Sequence, residues 1–221
     1  MNNKHSCPRL DRREFLGKVL PAGAFGCLGS SALLSALQQT GKPTSQTQKS
    51  LQNSQLSYRE VFQFGLQGYY IPLMKYFADQ FGKENFLNML KKAYTHIYSE
   101  AMIKVSKDVP RKDLRTFTEC FRKANLSLTP HIDPALYDRV SENSTTYHDI
   151  ERSDRIIELR VTQCLYADVF RQAEAADIGY IALCYPDSVL AEAFDVKMKL
   201  YRTKTLMQGH DCCDHKYVYE V

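Results

Sequence analysis

The spacing of the apolar residues changes near Asn125 in this chain of 221 residues, and the change restricts the folds that the chain can adopt. From Tyr58 to Asn125, apolar side chains recur every three or four residues, which is the period of an α-helix. Gly82 is placed to end one helix, and Pro72 is placed to kink that helix or divide it in two. The pattern predicts three helical stretches, over residues 58–81, 83–105 and 111–124.

Beyond Asn125, apolar and polar residues alternate, which is typical of β-strands. Four strands are predicted, over residues 144–153, 155–164, 196–207 and 213–221, and two short helices within residues 166–194. The last two strands are expected to pair as a hairpin around residues 208–210. The predicted fold class is therefore α+β, with a helical N-terminal half packed on an antiparallel sheet that ends in a C-terminal hairpin.

The first 37 residues have the pattern of an export signal. Arg12 and Arg13 are followed by Phe15 and Leu16 and then by an apolar stretch diluted with glycine, which resembles a twin-arginine signal. An uncleaved membrane anchor is an alternative for this segment. Small residues before Cys27 make lipidation at that cysteine a further alternative, and the membrane is expected to matter only through these N-terminal features.

These patterns divide the chain into three parts. Residues 1–37 form the twin-arginine-like export signal, residues 38–57 a polar linker rich in Gln, Ser and Thr, and residues 58–221 the folded domain. The expected partner of the signal is the twin-arginine export machinery, which carries proteins that have already folded. We expect the protein to be exported, either into the periplasm or anchored on the outer face of a membrane.

The charge of the folded part argues against nucleic acid as the main partner. The first 37 residues hold five of the 29 basic residues and two of the 25 acidic residues, so the rest of the chain is close to neutral. No stripe dense in Lys and Arg follows, although such a stripe is the electrostatic signature of nucleic-acid binding. A small molecule is the expected ligand.

The cysteines of the folded part do not form an obvious disulfide framework. Five cysteines follow residue 37, and an odd number favours free thiols or metal ligands over disulfides. Two of them lie in the stretch "GHDCCDHKY", residues 209–217. Alternation along a strand places Asp211, Cys213 and His215 on one side and His210, Cys212 and Asp214 on the other. The stretch therefore cannot direct all its polar residues and thiols at one metal ion.

Four motifs between residues 158 and 217 resemble the C-terminal pattern of the L-2-amino-thiazoline-4-carboxylic acid hydrolase family. A strand that ends in a cysteine precedes an aromatic-small-acidic triplet, and a second cysteine has an aspartate three residues later. An Arg-Thr-x-Thr-Leu strand then leads to a glycine, and a Cys-Asp pair follows. The matching residues are Cys164, Tyr166, Ala167, Asp168, Cys184, Asp187, Arg202, Thr203, Thr205, Leu206, Gly209, Cys213 and Asp214. His215 stands where the family is usually aromatic, and Cys212 is additional to the pattern.

The resemblance implies hydrolysis of a cyclic amidine, in the manner of a 2-amino-thiazoline-4-carboxylate ring opened to N-carbamoyl-cysteine. Such a reaction needs a nucleophile, a group that moves protons and an anchor for the substrate carboxylate. Our hypothesis assigns Cys184 or Cys213 as the nucleophile and Asp187 as the proton carrier. His215 is expected to lower the pKa of a neighbouring Cys213 thiol. The expected substrate-binding residues are Cys164, Thr205 and Arg202, of which Arg202 is the carboxylate anchor.

Other interpretations of the same residues remain open. Cys184 and Cys213, with a His or Asp, are also candidates to hold a divalent metal that activates water. The domain is alternatively a non-catalytic module that binds a small molecule or a metal, or the cysteines are core residues and the site lies elsewhere. Asp187, next to Pro186, is as well placed to cap a helix as to act in a site. If Cys164, Cys184 and Cys213 lie far apart in the folded chain, the site hypothesis fails.

Overall fold

The structure is a computed structural model that describes residues 56–220. The predicted export signal and residues 38–55 of the predicted linker lie outside this range. None of the helices within it is both long enough and apolar enough to cross a membrane. The helical N-terminal half comprises α1 (Tyr58–Phe62), a π-helical segment (Gln63–Tyr70), α2 (Ile71–Phe81), α3 (Lys83–Ser106) and α4 (Leu114–Ser127).

The ends of the first helices follow from local sequence. Ser57 caps α1, because its side chain accepts a hydrogen bond from the N–H of Glu60 and the carboxylate of Glu60 accepts one from the N–H of Ser57. Pro72 lies in the first turn of α2, where the backbone changes from π-helical to α-helical, in agreement with the predicted division. Gly82, with a φ of 78°, ends α2 in a conformation that favours glycine.

Helix α4 begins later than its apolar pattern indicates. Asp113 is its N-cap, and the Asp113 carboxylate accepts a hydrogen bond from the N–H of Thr116 at 2.9 Å. A further helix, α5 (Pro134–Ser144), was not predicted. It has few apolar residues, yet Asp133 caps it and Pro134 occupies its first turn, which together are a helix-start signal.

The strands form one antiparallel sheet in the order β1-β2-β4-β3, which confirms the α+β class. Their bounds are β1 (Thr145–Arg152), β2 (Ile156–Cys164), β3 (Met198–Tyr201) and β4 (Cys213–Tyr219). Strands β3 and β4 pair as predicted, but β3 ends at Tyr201 rather than near residue 207. The connection between them contains a short 3-10 helix (Leu206–Gln208), and Gly209 follows it with a φ of 94°.

A second group of helices joins β2 to β3. It consists of α6 (Leu165–Gln172), α7 (Ala176–Gly179), a π-helical segment (Tyr180–Cys184) and α8 (Tyr185–Phe194). Gly179 is required for its packing, because a Cβ atom at this position would lie 2.6 Å from the ring of Phe170. Helix α8 packs against α3 and β3 and contributes Phe194 to a core that also contains Met102, Phe117 and Tyr217. This arrangement holds the end of the second π-helical segment over the sheet.

Candidate active site

A cavity of about 500 Å³ lies between the helices and one face of the sheet. Its sheet side is made by alternate residues of β2 and β4, including the cross-strand pairs Leu159–His215 and Val161–Cys213. Residues two apart on a strand point to the same face. The alternation predicted for Cys213 and His215 is therefore observed, and both side chains line the cavity.

The opposite face of β4 anchors the connection from β3. One oxygen of the Asp214 carboxylate accepts hydrogen bonds from the N–H groups of Thr203 and Lys204, at 2.9 and 2.5 Å, and the other accepts one from the Thr203 hydroxyl at 2.6 Å. These contacts fix the chain directly after Arg202. Asp211 precedes the strand, is exposed and contacts Lys204, so it does not share the cavity with Cys213.

Arg202 is the centre of the polar end of the cavity. Its side chain is only 6% exposed. Nη1 donates to Oδ2 of Asp187 at 2.8 Å, and Nη2 donates to the carbonyl oxygen of Cys184 at 2.8 Å. The guanidinium group also lies over the ring of Tyr180, 5.9 Å from its centroid. Asp187 therefore holds a buried cation, and it lies in the first turn of α8 without capping that helix.

The contact between Arg202 and His215 assigns the tautomer of the imidazole. Nη1 of Arg202 lies 3.0 Å from Nε2 of His215, and because a guanidinium group has no acceptor, Nε2 must accept this hydrogen bond. The ring proton is then on Nδ1. Nδ1 is buried and has no hydrogen-bond partner among the described residues. His215 therefore lines the cavity with an N–H donor that no described residue uses.

The three cysteines that the sequence singled out line this cavity together. Burial raises the pKa of the Cys184 thiol to about 12, and the neighbouring Asp187 carboxylate adds to this effect. Burial also raises the pKa of the Cys213 and Cys164 thiols. The pKa of Cys213 is thus raised, whereas His215 was expected to lower it. All three thiols are therefore protonated near neutral pH.

The surroundings of Cys213 nevertheless stabilise a thiolate better than those of Cys184 do. The N–H of Leu206 donates a hydrogen bond to its Sγ at 3.2 Å, and this contact acts to lower the pKa of the thiol. Arg202 acts in the same direction. For Cys184, the unfavourable Asp187 carboxylate is a larger influence on the pKa than Arg202.

Tyrosine side chains that were not recognised as site residues complete the polar lining. Burial raises the pKa of Tyr98 and Tyr166 to about 12, and it also raises the pKa of Tyr217. Their phenols therefore stay protonated and can donate hydrogen bonds to a ligand. The strand pattern could have indicated Tyr217, because it follows His215 by two residues and shares its face, and Tyr166 belongs to the motif that follows Cys164.

The cavity brings together six of the seven predicted site residues, namely Cys164, Cys184, Asp187, Arg202, Cys213 and His215. The seventh, Thr205, does not line it. The Thr205 hydroxyl accepts a hydrogen bond from the N–H of Gln208 and donates one to the Gln208 side chain, so it caps the 3-10 helix. Its role in substrate binding stays a prediction.

The remaining two cysteines of the described chain lie away from the cavity, and the metal hypothesis gains no ligand group from the described residues. Cys120 is buried in the core, and Cys212 is buried outside the cavity lining. Within residues 56–220, no three His, Cys, Asp or Glu side chains are grouped as metal ligands. A divalent metal therefore stays a prediction for which this part of the chain offers no ligand set.

A second groove, of about 470 Å³, has a different character. It is lined by Arg111, Arg115 and Arg152, but each of these pairs with an acidic side chain of its own neighbourhood. No cysteine or histidine lines it. This groove therefore lacks the thiols and the imidazole that line the cavity beside Arg202.

Comparison with known proteins connects this cavity to a family. A family model described as L-2-amino-thiazoline-4-carboxylic acid hydrolase matches residues 66–217. The match extends from the first π-helical segment to Tyr217 and thus includes every residue that lines the cavity. No curated protein and no solved structure matches the chain significantly.

Proposed function

We propose that this chain, which belongs to the L-2-amino-thiazoline-4-carboxylic acid hydrolase family, hydrolyses the amidine carbon of a small cyclic substrate in the cavity beside Arg202. One observation carries the proposal. The buried contacts among Asp187, Arg202 and His215 leave an unpartnered Nδ1–H on His215, within the described residues, at a cavity that also contains three thiols. A buried donor without a partner is costly unless a ligand or water satisfies it.

The charges of the site favour a zwitterionic substrate. Arg202 and Asp187 are paired at 2.8 Å and together carry no net charge. A ligand with an isolated charge would therefore be buried without compensation, which is costly. A cyclic amidine with a carboxylate has one charge of each sign, so its amidinium can meet Asp187 while its carboxylate meets Arg202 and the Nδ1–H of His215. In this arrangement no charge is left unpaired.

The reaction that we propose begins at Cys213. The thiol proton passes to Asp187 as Sγ attacks the amidine carbon, which lies between the ring sulfur and nitrogen. The bond from that carbon to the ring sulfur then breaks, and the departing sulfur takes the proton from Asp187. The ring is now open, and the carbon is held on Cys213 as an isothiourea. The hydrogen bond from Leu206 and the charge of Arg202 favour Cys213 over Cys184 for this step.

Water completes the reaction. Its oxygen adds to the isothiourea carbon, and the bond from that carbon to Sγ of Cys213 breaks. One proton of the water goes to the imine nitrogen and the other to the released Sγ. The product is an N-carbamoyl amino acid with a free thiol, and the sum is substrate plus water. Because the resting thiols are protonated, the proton transfer to Asp187 is an essential part of the first step.

Replacement of single cysteines tests this function. Cys213→Ser and Cys184→Ser are assayed for ring opening of 2-amino-thiazoline-4-carboxylate, followed by the appearance of the product thiol. We expect Cys213→Ser to abolish turnover. Cys212→Ser is the matched control, because Cys212 is also buried but does not line the cavity. Ring opening that persists in both Cys184→Ser and Cys213→Ser refutes catalysis by cysteine.

The high pKa of the thiols also favours a second function, binding without catalysis. A protonated thiol is a poor nucleophile, and three neutral thiols make a soft, weakly polar surface for a ligand. Calorimetric binding of the thiazoline acid with no product over many hours would support this function. Turnover that depends on Cys213 excludes it.

Export by the twin-arginine machinery remains part of our proposal and concerns residues outside the described range. Its support is the sequence pattern at Arg12 and Arg13. Replacing both arginines with lysine keeps the charge and removes the motif. We expect the wild-type signal to deliver a fused reporter to the periplasm and the double variant to retain it in the cytoplasm. Equal export of both would reject the twin-arginine route.

A further inference from the structure

We infer that the preferred substrate carries a neutral substituent in addition to the reacting ring, an inference that rests on the proposed function and specifies its substrate class. The cavity has one charged end and one uncharged end. A single ring would occupy only the charged end. The uncharged end therefore indicates the chemistry of the rest of the substrate.

The charged end lies at the β4 side of the sheet. Asp187 comes from the first turn of α8, Arg202 follows β3 directly, and His215 comes from β4. These residues contact one another through the hydrogen bonds of Arg202. They supply the ionised and titratable groups, other than thiols and phenols, among the residues that line the cavity. The reacting ring with its carboxylate is expected here.

The uncharged end lies at the β1 side. It is lined by residues of α4, α5 and β1, which are Phe121, Asn125, Leu128, Thr129, Tyr137, Ser141, Ser144, Thr145 and Tyr147. None of these lining residues is acidic, basic or a histidine. A charged substituent would find no side chain of opposite charge among these lining residues. Aromatic and alkyl side chains there alternate with neutral hydroxyl and amide groups, so a neutral substituent such as an aromatic ring matches them.

The distance between the ends exceeds one ring. Strand order is β1-β2-β4-β3, so the lining residues of β1 and β4 are separated by two steps between strands. Each step is about 4.8 Å, which makes about 10 Å between the two ends. The volume of about 500 Å³ also falls within the roughly 300–1,000 Å³ of pockets that enclose drug-sized ligands. The cavity is thus too large for a thiazoline acid alone.

Exposure gives the orientation of the substrate. Tyr147 at the uncharged end is 53% exposed, whereas the side chain of Arg202 at the charged end is 6% exposed. The cavity therefore opens toward β1 and α5 and closes around Arg202. The ring enters first, and the substituent lies between Tyr147 and Leu159 near the opening.

The test compares a short substrate with extended ones. The full chain is assayed with 2-amino-thiazoline-4-carboxylate and with derivatives that carry a phenyl group on the exocyclic nitrogen or on the ring carbon next to sulfur. At least one phenyl derivative is expected to have a kcat/KM roughly 10- to 200-fold higher, the range for added apolar groups in a fitting pocket. A carboxyphenyl derivative is expected to lose this gain. The inference is overturned if every extended compound performs no better than the parent.

A substitution at the opening supplies a second readout. Ser141 lines the uncharged end from α5, and its neighbour Glu142 is exposed on the same helix but does not line the cavity. Ser141→Trp is expected to reduce the ratio of extended to short kcat/KM, while Glu142→Trp leaves that ratio unchanged. Equal ratios in both variants count against the inference. Thermal unfolding of both variants verifies that they are folded.

Failure of the proposed function is distinguishable from failure of the inference. If none of the compounds is turned over, the proposed hydrolysis is wrong, and the substrate class is then tested by the Kd values from calorimetry. A Kd that is at least tenfold lower for a phenyl derivative supports an extended ligand. Equal Kd values, or turnover of the parent alone, reject it.

Discussion

Replacement of Arg202 by Met should destabilise the protein far more than the loss of an ordinary ion pair. Met keeps much of the apolar length of the arginine side chain but removes the cation and its donors. Asp187, 20% exposed, is left without its buried partner, and the carbonyl of Cys184 loses its hydrogen bond from Nη2. Breaking a buried ion pair from one side costs about 3–5 kcal/mol. Because Asp187 faces a cavity that water can enter, we expect about 2–4 kcal/mol.

The assay is urea unfolding of the purified protein, with the matched variant Arg122→Met. Arg122 also makes two short hydrogen bonds to a carboxylate, that of Asp138 at 2.7 and 2.6 Å, but these two side chains are 48% and 39% exposed. An exposed pair contributes about 0–1 kcal/mol. The double variant Arg202→Met/Asp187→Leu should recover part of the stability lost in Arg202→Met, because it removes the unpaired charge. If Arg202→Met and Arg122→Met lower the free energy of unfolding equally, the buried ion pair contributes no more than the exposed one, and the prediction is refuted.

Three further predictions concern pH, the β3–β4 connection and packing. The pKa of Cys184 is about 12 in the folded state and near 9 in the unfolded state. The contribution of this thiol to the free energy of unfolding is therefore fully present below pH 9 and is lost as pH rises toward 12. Urea unfolding from pH 8 to 11 should therefore show a smaller alkaline loss of stability in Cys184→Ser, and an unchanged loss contradicts this. Asp214→Ala should lower the free energy of unfolding by about 1–3 kcal/mol, because it leaves the N–H groups of Thr203 and Lys204 without their acceptor. It should also lower kcat/KM, although Asp214 lies outside the cavity. Unaltered kinetics would show that the connection does not position Arg202. Gly179→Ala places a methyl group against Phe170 and should lower stability by about 1–3 kcal/mol, as measured by thermal unfolding, whereas a neutral effect would show that the ring moves away easily.

Local patterns were sufficient for the elements whose residues repeat strongly. The helices before residue 107 follow from the apolar period, and Gly82 marks a real break because its φ is positive. Helix α5 was missed because its few apolar residues give no clear period, even though its start at Asp133 carries a capping signal. Propensity and period describe one element at a time, and they carry no information on the contacts of α5 with β1.

The site was predictable where strand geometry decides which face a residue occupies. Alternation separates Cys213 and His215 from Asp214, and the structure has this separation. The early end of β3 was not predictable, because Arg202 leaves the strand to pair with Asp187, a contact over 15 residues of sequence. The tautomer of His215 likewise depends on a neighbour that only the folded chain provides.

Because β4 has two faces, the number of residues in this strand determines which side chains line the cavity. Suppose that one residue is inserted before Cys213 and pairs with Val161 in its place. Asp214 would then turn toward the cavity, and both Cys213 and His215 would turn away from it. An insertion in the connection of residues 206–210 would leave that parity intact. Natural or engineered variation in length should therefore be absent from the strand, so a family of related chains would keep one strand phase.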